Sequence, residues 1–422
     1  MKRFLHTLLL VIFLGMALTF AGCSSGGGGS DNNNPPDATA PTDVVQPWPL
    51  PGPYAVACSN IAQDFTRISA GEEVKDYWEG MEHYVTELLT DPVNTLIATV
   101  TAPQNSTLYG SFAGDQVQFA VIACYPTTAD NPRPDYQMPT GDAVPHMQTG
   151  ADAPIFADDS ARYPVVAFSH GFGDSPVSSA QYISALSNFA SYGYIVIAPF
   201  HGDFRFSNIN IGDLEDFIAV ALNLEDFTAL QALRALSVSA ALTLVLNHPQ
   251  WQGHIDETKI GGFGASMGSE TMLLLAGAGL STSYFDIGDS WSQVTYDPRI
   301  KAAVGYIPYF GQIILPAFGH DQDGLEDVNM PFLGISGTAD TVAPISIAQT
   351  GISRLAGIRE LVSLSGVEHE FDVPSSNDIF TWALMFLDAE VLGNQATKTQ
   401  LSTMASVAGG GNDSVVIYYN GL

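Results

Sequence analysis

Ser266 sits at the centre of a G-x-S-x-G pentad, Gly264 to Gly268, with the apolar run Lys259–Phe263 before it and the helical pattern Met272–Leu275 after it. The two glycines let a strand turn into a helix without side-chain collision, and such a turn thrusts the serine above the sheet. Its hydroxyl then lies near a helix N-terminus, whose partial positive charge favours a developing anion. A serine hydroxyl is a poor nucleophile until an adjacent base takes its proton. Downstream of Ser266 two histidines are available, His320 and His369. His320 lies in a loop that precedes the next core strand. His369 follows the last apolar run, Glu360–Leu364, in the loop Ser365–Phe371, and a long helical pattern comes next. That loop can deliver an imidazole to the serine, so His369 is the expected base. The acid is expected from the strand before it, Phe332–Ser336, whose turn Gly337-Thr338-Ala339-Asp340 presents Asp340. Glu368 is nearer in the chain, but neighbouring side chains in an extended segment point apart. Asp340 would fix the imidazole tautomer and stabilise the imidazolium.

Attack by this serine on a carbonyl makes an oxyanion, which needs two preorganised donors. One is expected to be the N–H of Met267, directly after the nucleophile. The other is expected from the loop Ser169-His170-Gly171-Phe172-Gly173, which follows the apolar run Pro164–Phe168. Its glycines let the backbone turn amides toward the site, and Phe172 N–H is the assigned donor. His170 and His201 precede the serine and are read as structural. Phe172, Met267, Tyr309 and Phe310 would form an apolar lining, with Tyr309 and Phe310 as the substrate pocket. No His-Glu-x-x-His motif and no cysteine cluster occurs, so neither metal nor other cofactor is expected.

Short β-branched or apolar runs alternate with helical patterns along the chain. The runs are Thr95–Val100, Gln116–Cys124, Pro164–Phe168, Tyr194–Pro199, Lys259–Phe263, Ala302–Ile307, Phe332–Ser336 and Glu360–Leu364. Helices are expected over Ala180–Tyr192, Leu230–Asn247, Ser269–Ala278, Ile345–Ala356 and Asp378–Leu392. In the second, Leu233, Leu236, Ala240 and Leu244 fall on one face at helical spacing. Strand–helix alternation with continuously apolar strands implies an α/β fold, a mostly parallel central sheet with helices on both faces. The first two runs lack a helical pattern between them and are expected to start the sheet antiparallel. Segments near 71–92, 204–228 and 309–329 read as insertions, the last two placed where a lid or substrate wall would stand.

The first residues carry a different signal. Lys2 and Arg3 precede an apolar stretch, Phe4–Phe20, too short for a membrane span, which meets Ala21-Gly22-Cys23. This is the pattern of a signal peptide over 1–22, and small residues before a cysteine resemble a bacterial lipobox in which Cys23 is lipidated. The expected location is that of an exported bacterial lipoprotein, at the outer membrane or cell surface or in the periplasm, in contact with membrane through that anchor. Ser-Gly-Gly-Gly-Gly, three asparagines and prolines follow, so 23–52 reads as a flexible tether and 53–422 as the globular domain. The formal charge of −30, from 44 acidic residues against 14 Lys plus Arg, excludes nucleic acid as an expected partner, because phosphate binding needs a basic patch. With Cys23 assigned to lipid, Cys58 and Cys124 remain, and an oxidising compartment would let them form a disulfide.

Ser169-His170-Gly171-Phe172, Ser191–Ala198, the Ser266 pentad, Gly337–Asp340 and Gly366–His369 together resemble the α/β-hydrolase superfamily, in its platelet-activating-factor acetylhydrolase and dienelactone-hydrolase-like branch. The resemblance to cutinase-type polyester hydrolases is more distant. It implies the hydrolase fold with lid-like insertions, and oxyanion donors after His-Gly and after the serine, matching Phe172 and Met267. Ala265 and Glu270 depart from the branch, which favours His and a small or apolar residue there. The expected activity is serine carboxylic-ester hydrolysis through an acyl-enzyme, on esters with an apolar acyl or aromatic group. The rival enzyme reading is a cell-surface hydrolase of lipid acyl chains or polyester. The rival from another class is a non-catalytic binding protein on the same scaffold.

Overall fold

The eight expected apolar runs pair into one ten-stranded sheet together with two strands that were not expected, Ala55–Cys58 and Asp413–Ile417. In chain order its strands are β1 (Ala55–Cys58), β2 (Leu96–Thr101), β3 (Gln116–Thr127), β4 (Tyr163–Ser169), β5 (Ile195–Pro199), β6 (Ile255–Ala265), β7 (Ile300–Tyr306), β8 (Phe332–Gly337), β9 (Arg359–Leu364) and β10 (Asp413–Ile417). The order across the sheet is β10-β9-β8-β7-β6-β4-β5-β3-β1, with β2 also on β3. The strands from β5 through β9 are all parallel. Antiparallel pairs flank them: β10 on β9, β3 on β5, and β1 and β2 along the outer edge of β3. The computed structural model describes residues 34, 39–62, 82–138, 142–207, 209, 224–283, 291–312 and 315–422. The expected signal peptide, Cys23 and half of the expected tether lie outside the described residues, as do parts of each expected insertion.

The helices used below are α1 (Ala180–Ser191), α2 (Leu224–Asn247), α3 (Met267–Leu275), α4 (Ile345–Arg354), α5 (Ser376–Glu390) and α6 (Gln395–Thr403). Leu186 and Phe189 of α1 and Trp382 and Phe386 of α5 pack on one face of the sheet. Leu233 and Leu242 of α2, Leu273 of α3 and Ile352 of α4 pack on the other. Strands covered on both sides cannot alternate polar with apolar, which is why β5 is buried at every position. α2 is the one helix among the described residues long and apolar enough to cross a membrane, and most of it is buried inside this domain. β4 lies between β5 and β6, so the chain reverses its direction of travel across the sheet there. A crevice opens at such a switch point, beyond the carboxyl ends of the strands.

Two expectations change. The tether ends earlier than residue 52: Asp43–Val45 pair in parallel with Met404–Val407, and Trp48 stacks on Tyr192 with centroids 5.4 Å apart. The Gly52 amide donates to Ser191 Oγ at 2.7 Å, so apolar and hydrogen-bonding groups bind this stretch to the domain despite its proline-rich composition. The chain also does not end its regular structure with α5, since α6 and β10 follow. Within 71–92, Glu82–Leu89 is helical and buries Val85 and Leu88. Cys58 and Cys124 lie directly opposite on β1 and β3, with sulfurs at disulfide distance, 2.07 Å.

Candidate active site

Ser266 is placed by a strained turn between strand and helix. β6 ends at Ala265, α3 begins at Met267, and Ser266 between them has φ +53° and ψ −121°. A non-glycine residue in such a region stores about 1–3 kcal/mol of strain, held by its surroundings. Here Ser266 N–H donates to the Tyr306 carbonyl at 2.9 Å, and the Ser266 carbonyl accepts from Tyr309 N–H at 3.2 Å and Ser269 N–H at 2.9 Å. A Cβ on Gly264 would overlap the Gly268 carbonyl, and one on Gly268 would overlap the carbonyl of Ser169. The pentad glycines therefore let the elbow fold on itself and sit against the end of β4.

Ser266 Oγ lies 2.8 Å from His369 Nε2, and His369 Nδ1 lies 2.7 Å from Asp340 Oδ2. Asp340 follows β8 by way of the turn Thr338–Asp340, and its side chain is fully buried. Its Oδ1 accepts from Val342 N–H at 2.9 Å and Ala343 N–H at 2.7 Å. A carboxylate with those donors on one oxygen accepts from imidazole with the other, so Nδ1 carries the hydrogen and the Nε2 lone pair faces the serine. The His369 loop is fixed on both flanks. The Ala339 amide donates to the Val367 carbonyl at 3.0 Å, and Tyr306 Oη donates to the Glu370 carbonyl at 2.7 Å.

Two amides face the same space. Gly171 N–H donates to Tyr182 Oη at 2.8 Å and Gly173 N–H to Asp203 Oδ2 at 2.9 Å. The Phe172 amide between them donates to no acceptor among the described residues, and Met267, first in α3, has no intrahelical acceptor. A Cβ on Gly171 would stand 3.7 Å from Ser266 Cβ, which puts the loop beside the serine. Phe172, Ser266, Met267, Tyr309, His369 and Phe371 are among the residues lining one cleft of about 330 Å³. No family model matches this chain, and no curated protein matches its sequence.

The cleft wall holds Ser266, His369, Phe172, Met267 and Tyr309, and Asp340 is buried behind His369. Phe310 is not in its wall. It is 1% exposed, packs on Phe318 with centroids 5.6 Å apart, and abuts Gly351, because consecutive residues after β7 point to opposite sides. His320 is exposed and lies 3.3 Å from Asp321, its neighbour in the chain. Beneath the cleft lies a polar bed that no sequence motif marks. α2 contributes Gln231, Arg234 and Ser237, all buried. Arg234 pairs with Asp203 at 2.6 Å, each side chain 1% exposed. Gln231 Nε2 donates to Glu270 Oε1 at 2.5 Å. Burial raises the Glu270 carboxyl to about 8 against the pull of Arg234 and Gln231, so it is neutral at pH 7. Burial also raises the Tyr309 phenol, with Glu270 adding to the effect. A signal was present: polar residues three apart along an otherwise apolar helix share a face.

Proposed function

We propose that this protein is a serine carboxylic-ester hydrolase of the α/β-hydrolase fold. The observation that carries the reading is the continuous relay from Ser266 Oγ through His369 to buried Asp340 at 2.8 and 2.7 Å. The parallel strand order with its switch at β4, and the elbow between β6 and α3, support the fold. In the first step Ser266 Oγ bonds to the acyl carbon while its proton passes to His369 Nε2. The carbonyl electron pair moves onto oxygen, where Phe172 N–H and Met267 N–H receive it. Collapse breaks the bond to the alcohol, which leaves with the proton from His369. Water then repeats the sequence on the acyl-enzyme, losing one proton to His369 and releasing the acid as Ser266 recovers it.

Phe172, Met267, Ile307, Tyr309 and Phe371 give the cleft an apolar wall, and its volume is at the small end of ligand sites. Short acyl or aromatic esters suit it better than long lipid chains. A series of p-nitrophenyl esters from acetate to palmitate tests this. The expected result is turnover greatest at short acyl length and absent in Ser266→Ala; no turnover of any ester by the wild type overturns the reading. The same proposal sets the enzyme outside the cytoplasmic membrane, tethered by lipidated Cys23. Lys2, Arg3 and Ala21-Gly22-Cys23 support it, as does a cysteine pair at disulfide distance, suited to an oxidising compartment. The intact mass of protein from its native host is expected to show a diacylglyceryl group on Cys23, and any other unmodified N-terminus contradicts the anchor.

A further inference from the structure

One peptide in the loop after β4 decides whether an oxyanion can be bound. Gly171 C=O and Phe172 N–H belong to the same unit, which is trans, since the cis bond among the described residues is Leu50–Pro51. A trans peptide is planar and points its C=O and N–H in opposite directions. The Gly171 carbonyl is turned inward, where His170 Nδ1–H donates to it at 2.8 Å and both terminal nitrogens of Arg234 lie 3.5 Å away. Arg234 also donates to the His170 carbonyl and, at 2.6 Å, to Asp203 Oδ2. That oxygen in turn accepts from Gly173 N–H. The ion pair therefore grips backbone groups on both sides of the Phe172 amide, and neither side chain lines the cleft.

We infer that Arg234, paired with Asp203, is a positioning residue for the oxyanion: it holds the Gly171–Phe172 peptide with its N–H toward Ser266. A flipped peptide would present a carbonyl oxygen there and repel the developing charge. The inference rests on the ester-hydrolase reading of the cleft. Stability alone is a poor reason for the pair, because a buried ion pair is often no better than apolar side chains of the same volume. The planar fork of guanidinium donors supplies a reason, since one group reaches two carbonyls and a carboxylate at fixed angles.

Two variants test it. Arg234→Lys keeps the charge and loses the fork, while Arg234→Met combined with Asp203→Asn removes both charges, so that no ion is stranded in the core if the first variant fails to fold. For each, kcat, KM, melting temperature and the rate ratio between an ester and its thionoester are measured. Sulfur accepts hydrogen bonds more weakly than oxygen, so a working oxyanion site favours the ester. The expected result is a fall in kcat of about 10²-fold, KM within about twofold, and an ester preference that collapses toward parity. Variants that melt lower but keep the wild-type ester preference would overturn the inference and leave Arg234 a core-packing residue. Failure of the underlying reading is separate and would appear as wild-type turnover in Ser266→Ala.

Discussion

The same end of the sheet holds histidines in two environments. His369 is 21% exposed, with one ring nitrogen on a buried carboxylate and the other on the serine hydroxyl. His170, within the loop Ser169–Gly173 after β4, and His201, just after β5, are buried, with ring centroids 4.3 Å apart. Every ring nitrogen of that pair has an internal partner. His170 Nδ1–H donates to Gly171 O, and His170 Nε2 accepts from His201 N–H. Ser237 Oγ donates to the Arg234 carbonyl and so accepts from His201 Nδ1–H, which leaves His201 Nε2 to accept from Ser169 Oγ. Burial first, and Arg234 next, holds both imidazoles well below their ordinary range. Partners and access, rather than nearness to a nucleophile, separate an imidazole that can trade a proton from one that braces a loop.

Substitutions on the His369 side of this comparison are expected to give the largest effects on rate and the smallest on stability. His369→Ala is expected to lower kcat by about 10⁴- to 10⁶-fold, nearly as much as Ser266→Ala, since such residues act as a unit. Thermal melting of both variants is expected to stay close to wild type. Asp340→Asn follows, with a loss of about 10³- to 10⁴-fold, because an amide there favours the wrong imidazole tautomer. On the other side, His201→Ala strands two buried hydroxyls, each costing about 1–3 kcal/mol. A drop in melting temperature of several degrees with a much smaller fall in kcat is expected. A rate loss as deep as that of His369→Ala, without destabilisation, would erase the distinction.

Carboxyl groups sharpen the same contrast. Asp340 is satisfied by three donors, whereas Glu270 is neutral, with Oε2 unpartnered and Gln231, Arg234 and Tyr309 around it. A folded-state pKa raised to about 8 means that Glu270 favours folding fully below its unfolded pKa, and that this contribution is lost as pH rises to about 8. Glu270→Gln is therefore expected to flatten the loss of stability between pH 5 and pH 8. It is also expected to retain more of its activity at pH 9, where ionised Glu270 would oppose the oxyanion. Melting curves and pH–rate profiles check both. The smallest expected effect on rate is at the far edge of the sheet. Reduction of a Cys58–Cys124 bond opens a closure spanning 66 residues, worth roughly 4 kcal/mol in the chain-entropy model. A lower melting temperature with unchanged initial rate is expected.

Ser266, Asp340 and His369 could be placed from the sequence because each follows a strand, and parallel strands deliver such turns to one end of a sheet. Eight of the ten strands were legible as apolar runs. Less legible was anything that depends on a distant partner. The residues around Trp48 look like linker until Tyr192 and Thr381 are seen beneath them. β10, with Asp413, Ser414 and an exposed edge, has no buried alternation to announce it. Tyr309 and Phe310 are equally apolar, and only the path of the chain after β7 sends one into the cleft and the other into the core. Arg234 and Asp203, 31 residues apart, carry no local sign that they meet beneath the loop after β4.

The central claim is that Ser266 is the nucleophile of an ester-hydrolysing site, and covalent labelling tests it most directly. The protein is treated with a fluorophosphonate, digested, and the modified peptide mapped by mass spectrometry. One equivalent of label on Ser266 is expected, with labelling abolished in Ser266→Ala and slowed by several orders of magnitude in His369→Ala. Label on another residue, or equal labelling of wild type and Ser266→Ala, would contradict the account.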